Sequence, residues 1–337
     1  MRKGSSSLPS TAAGFAGFFF LLCAISVVRP VRDQAGIARG VAALPRMFGL
    51  TFLAVLAGAL LLAWLASRVP RARYVPIAFR IFAAGLLITW MALRAAAPWA
   101  QTALFVWSSA WSLFSVSLFW GLLTDLYGRG AAARLFGVIA AGGTAGTLAG
   151  PILVQWLARP LGPANLIPIS ALLLELSVQS ASALRRTVAV PAAPAPPRSR
   201  IRDALGALLR PSLLRALSGY VLLFTATATL FYFEQARMVA RTTADDRERT
   251  LLFARVDLAV NATTLALQAF VTRPFLQRAG LRVALSVYRG GDALAAWLAQ
   301  ALPPGALFPA ALALCALWLV NAVWLSRGAG AGLGSAQ

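Results

Sequence analysis

Charged side chains lie inside several runs of apolar residues, where an ion in lipid costs at least about 2.5 kcal/mol on insertion scales. In the first run, Arg29 and Asp33 stand four residues apart on one helical face, with Arg32 beside them. Pro30 removes one backbone N–H donor between them. One interpretation is a kinked helix that presents a guanidinium to an anionic solute in a polar cavity. The alternative is an ion pair that caps the helix at the lipid headgroups, and the sequence leaves both open.

A polar stripe marks a later apolar run. Asp257, Asn261, Thr264 and Gln268 recur at spacings of four, three and four residues, which places them on one face of a helix. Because lipid does not solvate such a face, it either lines a water-filled cavity or packs on another polar helix. We expect a cavity in which Asp257 and Asn261 contact solute or take part in gating.

Two more acid and arginine pairs have the spacing of one helical turn. Glu234 and Arg237 follow an aromatic cluster, and Arg289 and Asp292 flank two glycines. Either pair could line a solute site. The alternative for the first is an ion pair beneath an interfacial aromatic belt, and for the second a pair closed within its own helix turn.

Other ionisable groups predict contacts between helices. Asp125 lies at a turn close to Arg129 and Arg134, and we interpret this group as a charge lock between gating helices, with a solute ligand as the alternative. Arg80 and Glu175 are single charges in separate apolar runs, and they could pair with each other.

Small residues predict one close helix crossing. Gly142, Gly146 and Gly150 recur every four residues and are followed by Pro151. Two successive G-x-x-x-G steps leave a strip of bare backbone on which another helix can pack closely. We expect an intramolecular crossing. We do not expect a phosphate-binding P-loop, because its lysine and its Ser/Thr are missing.

Composition defines the class of protein that contains these residues. Of 337 residues, 59% are hydrophobic and 12% are charged, and the mean hydropathy is +0.74. A soluble domain of this length needs about 25% charged residues to cover its surface. The sequence therefore predicts a polytopic, all-α membrane protein.

The absence of histidine from the sequence excludes Ser-His-Asp hydrolases, His-ligated metals and histidine proton relays. Cys23 and Cys315 are far apart inside apolar runs, so we interpret both as packing thiols. An integral-membrane enzyme would need a nucleophile with its base, or a metal site. We therefore expect no enzymatic activity, no cofactor and no metal.

A bilayer core about 30 Å thick requires about 20 apolar residues in a helix. Ten segments of the chain satisfy this requirement, and we predict spans at 14–37, 45–66, 75–93, 100–126, 133–157, 164–184, 213–233, 251–272, 283–302 and 307–325.

Lysine and arginine are about twice as frequent in the loops on the N-terminal side as in the opposite loops, which predicts that both termini are cytoplasmic in a cell (inner) membrane. The net charge of +21 then reflects topology and attraction to anionic lipids at the cytoplasmic face. We expect no nucleic-acid partner.

A segment rich in proline and arginine divides the predicted spans into six and four. We predict an N-terminal half at 1–184, a linker with a short interfacial helix at 185–212, a C-terminal half at 213–326 and a flexible tail at 327–337.

Five motifs in order along the chain resemble one family, the bacterial major-facilitator-type carriers related to ATP/ADP (NTP/NDP exchange) translocases. They lie at 29–33, 134–144, 232–237, 257–261 and 288–292. The resemblance implies a helical bundle of two six-helix halves around a central cavity that opens alternately to each side. It also implies a solute site near the midplane of the membrane.

The chain departs from the family pattern in its second half, where the motif at 288–292 follows the predicted eighth span almost directly. Two helices are missing, with the junction near 281–287. Nucleotide exchangers of this family are expected to place lysines and glutamates in the translocation path. Lys3 is the only lysine here, so arginine would have to bind phosphate.

We expect a transporter of a small organic solute, with an anionic or nucleotide-like molecule among the candidates. The alternative is a shortened relative that does not transport and persists as a membrane interaction protein or a degenerate gene product.

Overall fold

A computed structural model describes residues 8–66, 68–187, 212–266 and 270, and the regular secondary structure of these residues is entirely helical. Short 3-10 turns join α1 to α2 and α4 to α5. The α-helices are α1 (Leu8–Ala38), α2 (Leu44–Ala66), α3 (Arg71–Arg94), α4 (Ala100–Leu161), α5 (Leu166–Thr187), α6 (Ser212–Thr242) and α7 (Asp246–Ala266).

Six helical segments among the described residues are long and apolar enough to cross a membrane. They are Ser10–Ala38, Val41–Ala66, Arg73–Arg94, Ala100–Tyr127, Leu135–Leu161 and Pro163–Arg185. The prediction of an all-α fold is thus confirmed for the described residues, and the first six predicted spans coincide with helical segments of membrane-spanning length.

The remaining four predicted spans are not confirmed by these segments. The predicted seventh span lies within α6, and the eighth overlaps α7. The ninth and tenth predicted spans lie outside the described residues. The total of ten stays a prediction.

Helix α4 contains two of the six segments and folds back on itself. The rings of Trp120 and Phe136 lie 5.1 Å apart, although 16 residues of straight helix would separate them by about 24 Å. The chain therefore reverses direction between Tyr127 and Leu135. We call Ala100–Tyr127 the first arm of α4 and Leu135–Leu161 the second arm.

Helix α1 lies at the centre of the bundle formed by α1 to α5, with both arms of α4 and with α5 packed around it. Its middle is fully buried, as Leu21, Ala24 and Val27 show. Helix α5 contributes two hydrogen bonds to the α1 backbone, from Ser170 Oγ to the Ala24 carbonyl and from Ser177 Oγ to the Gly17 carbonyl, both 2.8 Å.

The second arm crosses α1 at the three glycines. A Cβ atom on Gly142 would lie 2.5 Å from the carbonyl oxygen of Phe15, and one on Gly146 would meet the carbonyl oxygen of Phe19. Pro151 is buried one residue beyond Gly150. The crossing fixes the position of α1 at its middle turns, because backbone there contacts backbone.

Helix α2, in contrast, exposes a broad apolar face that suits contact with lipid. Phe52, Leu53, Leu61 and Trp64 are all more than half exposed. The described residues form two compact units, and α7 packs in the same unit as α1 to α5 up to Leu265. The part of α6 before Val239 belongs to the second unit.

Candidate functional site

Helix α1 continues through Pro30, which has no N–H to donate to the carbonyl of Ser26 one turn earlier. The Ser26 side chain is 1% exposed, and its hydroxyl has no hydrogen-bond partner. Buried polar atoms normally form hydrogen bonds, so this turn of α1 contains a hydroxyl that can still bind a partner.

One turn further along, Arg29 reaches across to α7. Its Nη1 lies 3.9 Å from Oδ2 of Asp257, and the two side chains are 38% and 20% exposed. This distance allows Coulombic attraction but exceeds that of a hydrogen bond. The Oδ2 atom of Asp257 is itself buried and accepts no hydrogen bond.

Arg32 and Asp33 form a much closer contact. Arg32 lies 2.6 Å from Oδ1 of Asp33 through Nη2 and donates to the same oxygen from Nε at 2.8 Å. Its guanidinium also lies over the Phe105 ring and reaches the Ser109 hydroxyl at 3.5 Å. Asp33 is thus paired with its neighbour Arg32, and the i, i+4 pair of Arg29 with Asp33 considered from the sequence is replaced by a contact of Arg29 with α7.

The polar stripe on α7 lies partly against the bundle. Asn261, one turn after Asp257, directs its Nδ2 to the Thr147 carbonyl in the second arm at 3.5 Å. Thr264 is exposed, and Gln268 lies outside the described residues. The stripe therefore contacts α1 and the second arm at Asp257 and Asn261.

We call Ser26, Arg29, Arg32, Asp33 and Asp257 the polar cluster. Its two arginines and two carboxylates balance in charge. Ser26 is two residues from the midpoint of the segment Ser10–Ala38. The Arg29 Cα lies about 7.5 Å from that midpoint at about 1.5 Å per residue. Along α1 the cluster therefore extends from about 3 Å beyond this midpoint at Ser26 to about 13.5 Å beyond it at Asp33, within a helix of membrane-spanning length.

The other candidate residues lie apart from this cluster or outside the described chain. Glu234 and Arg237 form an ion pair within α6, with Oε1 and Nη1 2.9 Å apart. Asp125 is half-buried near the end of the first arm, and the side chains of its predicted partners lie outside those described. Arg289 and Asp292 also lie outside the described residues.

Two ion pairs between helices involve residues that are not among the candidate site residues. Arg80 and Glu175 pair across α3 and α5, at 3.0 and 3.2 Å. The sequence leaves this pairing open, and the structure shows it. Arg159 and Glu248 pair at 3.2 Å between the second arm and the start of α7. No spacing pattern in the sequence indicates the second pair.

A basic pocket of about 370 Å³ also escaped sequence analysis. It lies where the α1–α2 turn meets the α3–α4 turn, and Arg39, Arg46 and Trp99 line it. Arg39 donates a hydrogen bond to the Pro98 carbonyl in its wall. Its arginines are separated in sequence from each other and from Trp99, so no motif reveals it.

Among the residues that the structure describes, no group of three His, Cys, Asp or Glu side chains has an arrangement that could hold a metal ion. Comparisons of the chain with models of known protein families and with curated proteins find no match. The resemblance to carriers therefore stays a prediction from the five sequence motifs.

Proposed function

We propose that this protein is a multi-pass carrier of the major-facilitator type in the cell (inner) membrane. It moves a small organic solute by alternating access, and both of its termini are cytoplasmic. The observation that carries the proposal is the polar cluster in the second half of α1, with its partly exposed Arg29 and two buried oxygens that form no hydrogen bond. Polar groups within a membrane span are costly and typically mark a solute or ion pathway.

The packing around the cluster holds α1 firmly against the second arm and leaves the contact between α1 and α7 free to change. Helix α1 is fixed to the second arm by close backbone contact at the glycines. Helix α7 is buried at Leu251, Phe253 and Ala254, but its later residues are more exposed. Beyond Ala254, its contacts with α1 and the second arm include the long polar ones at Asp257 and Asn261. Polar contacts of this length can be exchanged for contacts to a solute.

The chemistry of the cluster favours an anionic group on the solute. Arg29 is the cluster's most exposed cation, and a guanidinium binds carboxylate or phosphate through paired hydrogen bonds. A solute with a carboxylate, a phosphate or a nucleotide phosphate would offer Arg29 the hydrogen bonds that Asp257 does not. Binding and release of a solute need no covalent step.

The first test is thermal unfolding of the purified full chain with ATP, inorganic phosphate, succinate, alanine and glucose, each supplied in excess. A ligand at 100 times its Kd adds about 2.7 kcal/mol of stability. We expect an anionic member of the panel to raise the Tm, and the Arg29→Gln variant to lose this response. The Glu175→Gln variant, whose partner lies outside the cluster, serves as the matched control and should keep it.

A solute that raises the Tm is then tested by counterflow in proteoliposomes. Exchange of the labelled solute in the wild type and its loss in Arg29→Gln would support the carrier. If a cooperatively unfolding protein ignores the whole panel and shows no counterflow with any of its members, the proposal fails. The transport-inactive, shortened relative would then be the better account.

A further inference from the structure

Arg29 has one ion-pair partner among the described residues, and that partner binds it weakly. The contact to Asp257 measures 3.9 Å at its closest, with no hydrogen bond between the two groups. Charge-assisted hydrogen bonds between arginine and carboxylate are normally about 2.7–2.9 Å long. An anion that makes such bonds to Arg29 would therefore displace Asp257 readily.

Displacement would leave the Asp257 carboxylate poorly stabilised. Its Oδ2 atom is already buried without a hydrogen-bond donor, so Arg29 supplies the nearest counter-charge. A carboxylate that is mostly withdrawn from water and then loses its counter-ion favours the protonated form. Proton uptake would restore the neutral charge balance that the cluster has without solute.

The other charged groups near Asp257 do not replace Arg29. Asp257 also interacts electrostatically with Arg32 and Asp33 on α1, but those two are paired with each other. The second arm contains no ionisable side chain from 135 to 158. On α7 itself, Arg255 is two positions earlier and exposed, on a different side of the helix from Asp257.

We propose that Asp257 is the proton-carrying group of this carrier and that its proton moves together with the anionic solute. The inference rests on the proposed carrier function. The solute anion takes the place of the Asp257 carboxylate at Arg29, and Oδ2 of Asp257 binds one proton from the side to which the site is open. Release of the anion on the other side returns Arg29 to Asp257, which then gives up the proton there.

The test uses the full chain in proteoliposomes, with labelled succinate, inorganic phosphate and ATP as probes. Uptake is measured with and without a pH gradient of one unit, alkaline inside. With the membrane potential clamped at zero by potassium and valinomycin, one proton moved with each anion supports about tenfold accumulation whatever the charge of the anion, since about 1.4 kcal/mol corresponds to a factor of ten. A protonophore should abolish the accumulation.

In the wild type we expect the accumulation ratio with the gradient to exceed the ratio without it by about tenfold for at least one probe. In Asp257→Asn, which cannot bind the proton, this factor should fall to about one. Asp257→Glu retains a titratable carboxylate and should keep a factor well above one. Glu175→Gln, the matched acid outside the cluster, should behave as the wild type.

The outcomes separate the two proposals. Counterflow of a probe without any response to the gradient in the wild type would overturn proton coupling and leave the carrier standing. A response that survives in Asp257→Asn would overturn the role of Asp257 alone. If Asp257→Asn yields no folded protein, the wild type and Asp257→Glu still decide, because a factor of about one in either overturns the inference. No counterflow with any probe would overturn both proposals.

Discussion

Arg80 and Glu175 meet through two hydrogen bonds across α3 and α5, whereas Arg29 and Asp257 approach at a single long contact across α1 and α7. Both pairs join an arginine to a carboxylate on helices of the same compact unit. In the first pair, each carboxylate oxygen accepts a bond from the guanidinium. In the second, the oxygen nearest the guanidinium accepts no hydrogen bond.

The difference suggests two uses of the same two residue types. A bidentate pair holds two helices in one register, because its two hydrogen bonds are lost if either helix slides along the other. A long contact with an unmet acceptor stores little interaction energy, so a competing ligand can replace it at low cost. We therefore assign the α3–α5 pair to structure and the α1–α7 pair to function.

The largest effect is expected from a change at the crossing that holds α1 in place, because both ion pairs depend on the position of the helices. In Gly146→Ala, the new methyl group would meet the Phe19 carbonyl, so the two helices must separate. We expect a loss of about 3 kcal/mol in the free energy of unfolding, as for severe overpacking. Thermal unfolding of the purified variant measures it.

The control for this variant is Gly137→Ala, which lies in the same arm where a methyl group would contact nothing within 4 Å. Alanine there should be neutral or stabilise the helix by up to about 1 kcal/mol. Equal Tm values for the two variants would show that the crossing does not constrain α1.

Double-mutant cycles compare the two ion pairs directly. We expect a coupling energy of about 2 kcal/mol between Arg80→Gln and Glu175→Gln, within the range found for residues in contact. Between Arg29→Gln and Asp257→Asn we expect a smaller coupling of about 1 kcal/mol, from charge attraction without a hydrogen bond. The Tm values and unfolding enthalpies of the seven proteins, with the wild type common to both, measure the two cycles.

A larger coupling at Arg29 and Asp257 than at Arg80 and Glu175 would contradict the division into a structural and an exchangeable pair. The ligand-free protein is required for both cycles, because a bound anion would itself separate Arg29 from Asp257.

A third comparison concerns two buried serines. Ser26 has an unpartnered hydroxyl, whereas Ser177 donates a 2.8 Å hydrogen bond to α1. Because an unsatisfied buried polar group costs about 1–3 kcal/mol, Ser26→Ala should raise the unfolding free energy by about 1 kcal/mol. Ser177→Ala should lower it by a similar amount. Thermal unfolding of both variants without solute measures these changes. A lower stability of Ser26→Ala than of Ser177→Ala would contradict this reasoning.

The smallest effect is expected at Asn261, whose contact to the Thr147 carbonyl is at the outer limit of a hydrogen bond at 3.5 Å. Asn261→Ala should change the unfolding free energy by less than about 0.5 kcal/mol, as for a surface substitution. A loss above about 1.5 kcal/mol in thermal unfolding would mean that α7 is held more firmly than its polar contacts indicate.

The features that could be predicted from the sequence are those that depend on local residue patterns. The first six spans follow from the length of apolar runs, and the spacing of Gly142, Gly146 and Gly150 indicates a close crossing without naming its partner. That partner is α1, and no local pattern identifies it. The reversal within α4 agrees with the sequence, which predicts separate spans at 100–126 and 133–157 with Asp125 at the turn near them.

The pairing of charges could not be predicted for a different reason. Arg29 had an acid one turn away at Asp33, and local spacing favoured that partner. In the structure, Arg32 takes Asp33, which leaves Arg29 to Asp257 on a distant helix. Whether Arg29 or Arg32 binds Asp33 depends on where α7 packs. The spacing of residues along the chain does not reveal that packing.

The position of α1 at the centre of the bundle has a consequence for biosynthesis. Arg29 is translated about 230 residues before Asp257, an interval of about 10–50 s at ordinary elongation rates. During that interval the nascent first helix must leave the insertion machinery with a cation whose partner has not yet been made. A chaperone, a lipid phosphate or the translocon itself would have to shield Arg29 until the ribosome reaches α7.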